Sequence, residues 1–117
     1  MKARLIAFGE IEIENKRYDH DVVIDGGKVR KRKKDASKAY RDRYGHTPLS
    51  LEEDIPWGGR QFIVGTGAYG RLPIMPEVRQ EADRRGVELI AVPTAEACRL
   101  LQEVKRKDAH AILHTTC

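Results

Sequence analysis

The runs Gln61-Phe62-Ile63-Val64, Val87-Glu88-Leu89-Ile90-Ala91-Val92 and Ala109-His110-Ala111-Ile112-Leu113 decide how this chain folds. Each is short and apolar, and two stretches of helical periodicity separate them. The first helix is expected to open at Pro76, where a missing N–H costs nothing, to carry Val78 and Ala82 on one face, and to stop at Gly86. The second is read as capped by Thr94 after Pro93, presenting Ala97, Leu101 and Val104 with Cys98 alongside. The pattern is a βαβαβ unit. Ile112 and Leu113 point to opposite sides of their strand and both are apolar, so that strand is expected to be covered on both faces. Deleting it should abolish folding, whereas removing only Thr116 and Cys117 should leave melting near that of the whole chain.

Upstream, Ile11 and Ile13 alternate with Glu10, Glu12 and Glu14 as strand residues do, and Tyr18 to Ile24 reads as a second strand. Asp25-Gly26-Gly27 then makes a turn, with Lys28 to Lys33 as the return arm of a hairpin. From Asp35 to Trp57 the periodicity fades among Gly45, Pro48 and Pro56. Ser50 and Glu53 have capping-box spacing for one short helical turn. The expected fold class is therefore α/β, a three-layer fold around a mixed sheet, with an N-terminal β-rich part followed by the βαβαβ part. Residues 1–117 are expected to form one domain.

The composition suits an ordinary core under an ionic surface: of 117 residues, 40% are hydrophobic and 34% charged. No apolar run approaches a membrane span, and Cys98 and Cys117 do not make a disulfide framework, so a cytoplasmic protein without membrane contact is expected. Lys and Arg total 22 against 18 Asp and Glu. Six of the basic residues are Lys28, Arg30, Lys31, Arg32, Lys33 and Lys34; without them 16 basic residues face 18 acidic ones. The excess is thus one local patch. It reads first as a solvated edge strand, where lysines discourage edge-to-edge pairing, and only secondarily as a weak, sequence-independent contact for nucleic acid.

Gly65-Thr66-Gly67-Ala68-Tyr69-Gly70 has the spacing of a dinucleotide fingerprint directly after a strand. Pro73 and Pro76 delay the following helix, however, and the next strand ends Ala91-Val92-Pro93-Thr94 with no carboxylate for a ribose. Neither NAD nor ATP is expected as a cofactor. The glycines permit positive φ and close backbone approach, for a tight turn first and a small ligand second. His110 and His114 lie on one side of a strand, but a metal set would need Cys117 and the distant His20 and His46, so no metal is expected. Cys98 on an apolar helix face reads as core.

Topology offers a stronger pointer. If the three C-terminal strands run parallel, their carboxyl ends bring Gly65, Thr66, Gly67, Thr94, His114 and Thr115 to one sheet edge, with Tyr69 and Arg71 nearby. These residues suit a small anion or a polar metabolite.

The motifs together resemble the Mth-type small domain, a family that includes the adipogenesis-associated Mth-domain-containing protein and a mitochondrial assembly factor for respiratory complex one. The likeness covers nearly the whole chain. It is carried by residues Tyr18 to Ile24, Ile63 to Leu72, Gly86-Val87-Glu88 leading to Pro93-Thr94-Ala95-Glu96-Ala97, and Leu113-His114-Thr115-Thr116-Cys117. The resemblance implies a three-layer α/β fold around a mixed sheet and no established catalytic residue for most members. Since neither a nucleophile with its base nor a complete metal set can be assembled, the leading expectation is a non-catalytic interaction or accessory module with a protein partner. The alternative is a small-ligand or anion-binding protein, an enzyme included, with its site at the Gly65–Gly70 loop and the strand ends.

Overall fold

The computed structural model describes residues 1–117. Strands β1 (Ala3–Ala7), β2 (Glu10–Ile13) and β3 (Lys16–Tyr18) form an antiparallel three-stranded sheet. The β2–β3 hairpin turns through Glu14 and Asn15, at φ 50° and 70°; without a glycine there, the sequence carries only a weak signal for it. Strands β4 (Val22–Asp25) and β5 (Lys28–Lys31) make the expected hairpin, with Gly26 and Gly27 both at positive φ. The continuous strand expected over Tyr18–Ile24 is in fact two. The chain breaks at residues 19–21 because Tyr18 pairs with Ile11 in the small sheet, whereas Val22 pairs with Lys31 and Leu113 in the large one.

The five-stranded sheet has the order β5-β4-β8-β6-β7, with β6 at Gln61–Thr66, β7 at Glu88–Val92 and β8 at His110–His114. Strand β6 runs parallel to both β7 and β8, and β4 runs antiparallel to β5 and β8. The sheet is therefore mixed, and the βαβαβ unit supplies three of its strands. Helix α1 (Arg41–Tyr44) is one turn in the irregular segment, preceded by a 3-10 stretch at Lys34–Tyr40. Helix α2 (Pro76–Arg85) starts at its proline and ends where Gly86 takes a left-handed conformation; helix α3 is Thr94–Leu101.

Alternation along the central strands sends residues into two cores. Val22, Ile24, Ile63, Ala111 and Leu113 meet α3 residues Ala97, Cys98 and Leu101 together with Ile11 and Ile13 of the small sheet. Val23, Phe62, Val64 and Ile112 meet α2 residues Val78 and Ala82 with Leu49, Ile55, Leu72 and Met75. These are the three layers, and Ile112 and Leu113 are both fully buried on opposite faces as expected. Burial pushes the Cys98 thiol up to about 12, which fits a packing role. No helix is long and apolar enough to cross a membrane.

Candidate functional site

Strand direction gathers the polar residues. Because β5, β6, β7 and β8 all end at one sheet edge and β4 starts there, Asp21, Arg32, Thr66, Thr94 and His114 come together from five separate points in the chain. Arg32, one residue past β5, turns inward with its side chain 1% exposed. Its Nε and Nη2 donate to the two carboxylate oxygens of Glu53 at 2.7 and 2.9 Å, and Nη1 donates to Asp21 Oδ2 at 2.9 Å. Ser37 Oγ donates to Glu53 Oε2 at 2.5 Å and lies 2.6 Å from Ser50 Oγ. This buried network fastens the irregular segment to the sheet edge. It corrects two expectations. Glu53 and Ser50 form no capping box, because the guanidinium takes the carboxylate, and Arg32 is no part of an exposed basic patch. Lys28, Lys31, Lys33 and Lys34 are exposed, whereas Arg30 donates to the Asp54 carbonyl and pairs with its carboxylate. Of the patch, Lys28, Arg30 and Lys31 lie on the edge strand β5, and Lys33 and Lys34 follow it.

Asp21 accepts on both oxygens. Oδ1 takes the Thr115 backbone N–H at 2.9 Å and its hydroxyl at 3.2 Å, and Oδ2 lies 2.7 Å from His114 Nδ1. Burial pushes the Asp21 carboxyl up, but the His114 hydrogen bond and charge, the Thr115 amide and Arg32 together outweigh it and hold the group well below the usual carboxylate range. An ionised Asp21 fixes the His114 tautomer with the proton on Nδ1. Nε2 is left beside Thr116 Oγ1, at 3.2 Å.

In front of His114 lies a cleft of about 240 Å³. Arg32 and His114 form part of its wall, with Lys34, Lys38, Arg41, His46 and Arg71 around them, and no Asp or Glu side chain lines it. Lys38 is paired with Asp35 at 2.9 Å, Arg32 is neutralised from behind, and Lys34, Arg41 and Arg71 make no ion pair. Such a cluster of unpaired cations in a concave wall concentrates positive potential.

The residues expected at this edge divide into two groups. His114 and Arg71 line the cleft. Gly65, Thr66, Gly67, Thr94 and Thr115 reach the same edge but are buried, and most of their polar groups are engaged within the protein. Thr94 Oγ1 accepts the Gly67 N–H at 2.8 Å and donates to the His114 carbonyl at 2.5 Å. Thr94 is therefore the first residue of α3 and a tie between loops; Pro93 occupies the cap position without a side-chain cap. The glycine loop closes on the chain's own last residues. Ala68 N–H donates to the Thr116 carbonyl, and the N–H groups of Tyr69 and Arg71 donate to the Cys117 carbonyl. A Cβ on Gly67 would lie 2.4 Å from the Cys117 carbonyl carbon, so the glycine serves close approach of two backbones. Tyr69 stands outside the cleft, 69% exposed, with its ring 5.9 Å from that of the exposed Phe8. His110 sits at the other end of β8 against Gly58 and Gly59, and no three His, Cys, Asp or Glu side chains converge as a metal set.

Sequence reasoning missed Asp21, Lys38, Arg41 and His46. The charge in front of the Val22-Val23-Ile24 run was a signal for Asp21, since an acid at the start of a buried strand needs a partner. The other three lie in the aperiodic segment, where no spacing rule points inward.

The residues matched by a family model described as a protein of unknown function, DUF498/DUF598, are 4–114. The chain belongs to this family. Among solved structures, this DUF498/DUF598 protein is similar to the conserved hypothetical protein PH1505 from Pyrococcus horikoshii OT3, with 34% identity over the full length of both chains and a TM-score of 0.76. It also resembles MT938 in fold, at 23% identity, covering 99% of this chain and 98% of that one, with a TM-score of 0.69. No curated protein matches it. Family membership meets the sequence-based resemblance at the level of a small α/β domain family of unknown function.

Proposed function

We propose that this protein binds a small multivalent anion in the cleft at the strand ends. The observation that carries the reading is the cleft wall, in which Lys34, Arg41 and Arg71 make no ion pair and no Asp or Glu side chain is present. Burying an anion against these groups replaces their mutual repulsion with charge-assisted hydrogen bonds. Arg71 is held in place by its own N–H bond to Cys117, so its guanidinium projects from a fixed backbone. The test is thermal unfolding with sulfate, pyrophosphate and citrate against chloride at matched ionic strength. A saturable rise in midpoint, diminished in R41A and R71A, is the expected result; ligand at 100 times its Kd adds about 2.7 kcal/mol. Equal midpoints in all four salts would exclude the reading.

Phe8 and Tyr69 favour a second reading, a protein contact that suits the interaction or accessory module expected from the sequence. The two side chains come from different loops and form an exposed aromatic pair beside the cleft. The finer likeness to the Mth-type domain, including its accessory members, belongs with this second reading. Affinity capture from cell extract tests it: a partner held by the unaltered protein and lost from a double F8S/Y69S variant is expected, and equal retention by both would remove it.

A further inference from the structure

Beyond the cations, the cleft wall presents the imidazole of His114, whose Nε2 accepts from the Thr116 hydroxyl at 3.2 Å. The ring's position is set from behind. Asp21 holds Nδ1 at 2.7 Å, while Thr115 and Arg32 hold Asp21, so the imidazole is buttressed and its side chain is only 12% exposed. Among side chains, the ring thus faces one negative charge on Nδ1 and a set of positive charges across the cleft. Arg32 bonds the same Asp21 oxygen, Lys34 and Lys38 come from the stretch after β5, Arg41 and His46 from α1 and the residues after it, and Arg71 from the glycine loop. Thr116 and Cys117, beside Nε2, complete the surroundings. A bound dianion places negative charge beside Nε2 and offers it an acceptor.

Resting on the cleft's being an anion site, we propose that its ligand is a dianionic tetrahedral oxyanion and that binding is coupled to protonation of His114 at Nε2. The balance is simple: a buffer acid loses a proton, the Thr116 hydroxyl gives up its hydrogen bond to Nε2, an N–H bond forms there, and that N–H donates to an oxyanion oxygen. Asp21 keeps its charge and accepts from Nδ1 throughout. Such coupling selects sulfate- or phosphate-like dianions over monoanions of similar size, because the second negative charge offsets more of the positive charge that the fixed cations and the imidazolium bring together.

Sulfate is the probe, since it does not titrate near neutral pH and any proton taken up must go to the protein. Calorimetric titration of the full chain at pH 7 in Bis-Tris and in Tris, buffers of different ionisation enthalpy, measures that uptake. The expected result is about 0.3 to 1 proton per sulfate for the unaltered protein, with affinity falling toward tenfold per pH unit where uptake is complete. Uptake should vanish in H114Q and persist in H46Q, whatever either does to affinity. Uptake retained in H114Q or lost in H46Q would overturn the proposal, as would sulfate binding with no uptake in the unaltered protein. Absence of sulfate binding altogether would instead overturn the cleft as an anion site. A matching circular dichroism spectrum and cooperative melting of H114Q separate loss of coupling from loss of fold.

Discussion

Arg32 shows how much one side chain organises. It spans Asp21, Glu53 and the Pro48 carbonyl from a nearly fully buried position. Burial opposes its charge, and the two carboxylates outweigh that and stabilise it. Replacing it with alanine leaves two buried acids without their cation, an arrangement that costs about 3–5 kcal/mol. R32A is expected to unfold at a markedly lower urea midpoint; a loss under about 1 kcal/mol would mean that the network is dispensable. Asp21 gives the pH dependence. Because its folded-state carboxyl is held below the unfolded value of about 3.9, its contribution is fully present above that pH and fades as pH falls toward the folded value. Melting of the unaltered protein should therefore decline below about pH 4, while D21N should melt lower at pH 7 and show a flatter acid limb. Gly67 and Gly45 form a paired test, since both have positive φ but only Gly67 has backbone in the space a Cβ would fill. G45A should cost about 1–2 kcal/mol through its left-handed backbone alone. G67A should cost more, because displacing the 116–117 backbone also breaks hydrogen bonds worth about 1 kcal/mol each.

At the scale of elements, β8 is decisive. It is the centre of the five-stranded sheet, paired on both sides, and puts Ile112 into one core and Leu113 into the other. Deleting residues from 109 onward removes both ladders and two side chains worth roughly 1.5–3 kcal/mol each in burial, so no cooperative melting should survive. Removing only residues 116–117 is a different matter from what the sequence led us to expect. Three loop N–H groups at Ala68, Tyr69 and Arg71 lose their acceptors. A loss of about 1–3 kcal/mol in chemical unfolding is expected, and unchanged stability would show that water replaces those carbonyls freely. The helices were the more legible elements. Pro76 and Gly86 bracket α2 because each fits a helix end by its own covalent geometry, independent of what packs nearby. The Thr94 hydroxyl was misread because capping is a local rule and a tertiary partner, the Gly67 N–H, donates to the oxygen that would have accepted from the helix.

Over the whole molecule, positive charge has two faces that the composition merged into one. The edge strand and the residues after it expose Lys28, Lys31, Lys33 and Lys34, while Arg30 and Arg32 are engaged in ion pairs. Any nucleic-acid binding should therefore be weak and sequence-independent, with a log–log salt slope no steeper than about −3.5 for duplex DNA, and should vanish in a K28E/K31E/K33E/K34E variant. Filter binding across a salt series measures this, and a slope near −5 would require Arg30 and Arg32 as well. The sequence by itself determined the α/β class, the three C-terminal strands, both long helices and the gathering of polar residues at one edge. Those follow from period, from the residues that start and stop helices, and from the parallel direction of strands joined by helices, which act locally or by general rule. Only the tertiary structure decided that Asp21 supports His114, that Arg32 turns inward, and that Lys34, Lys38 and Arg41 join Arg71 at the cleft. Each of these pairs residues far apart in the chain, and their partners are chosen by desolvation, which penalises an unpaired buried charge only after the fold has brought the groups together.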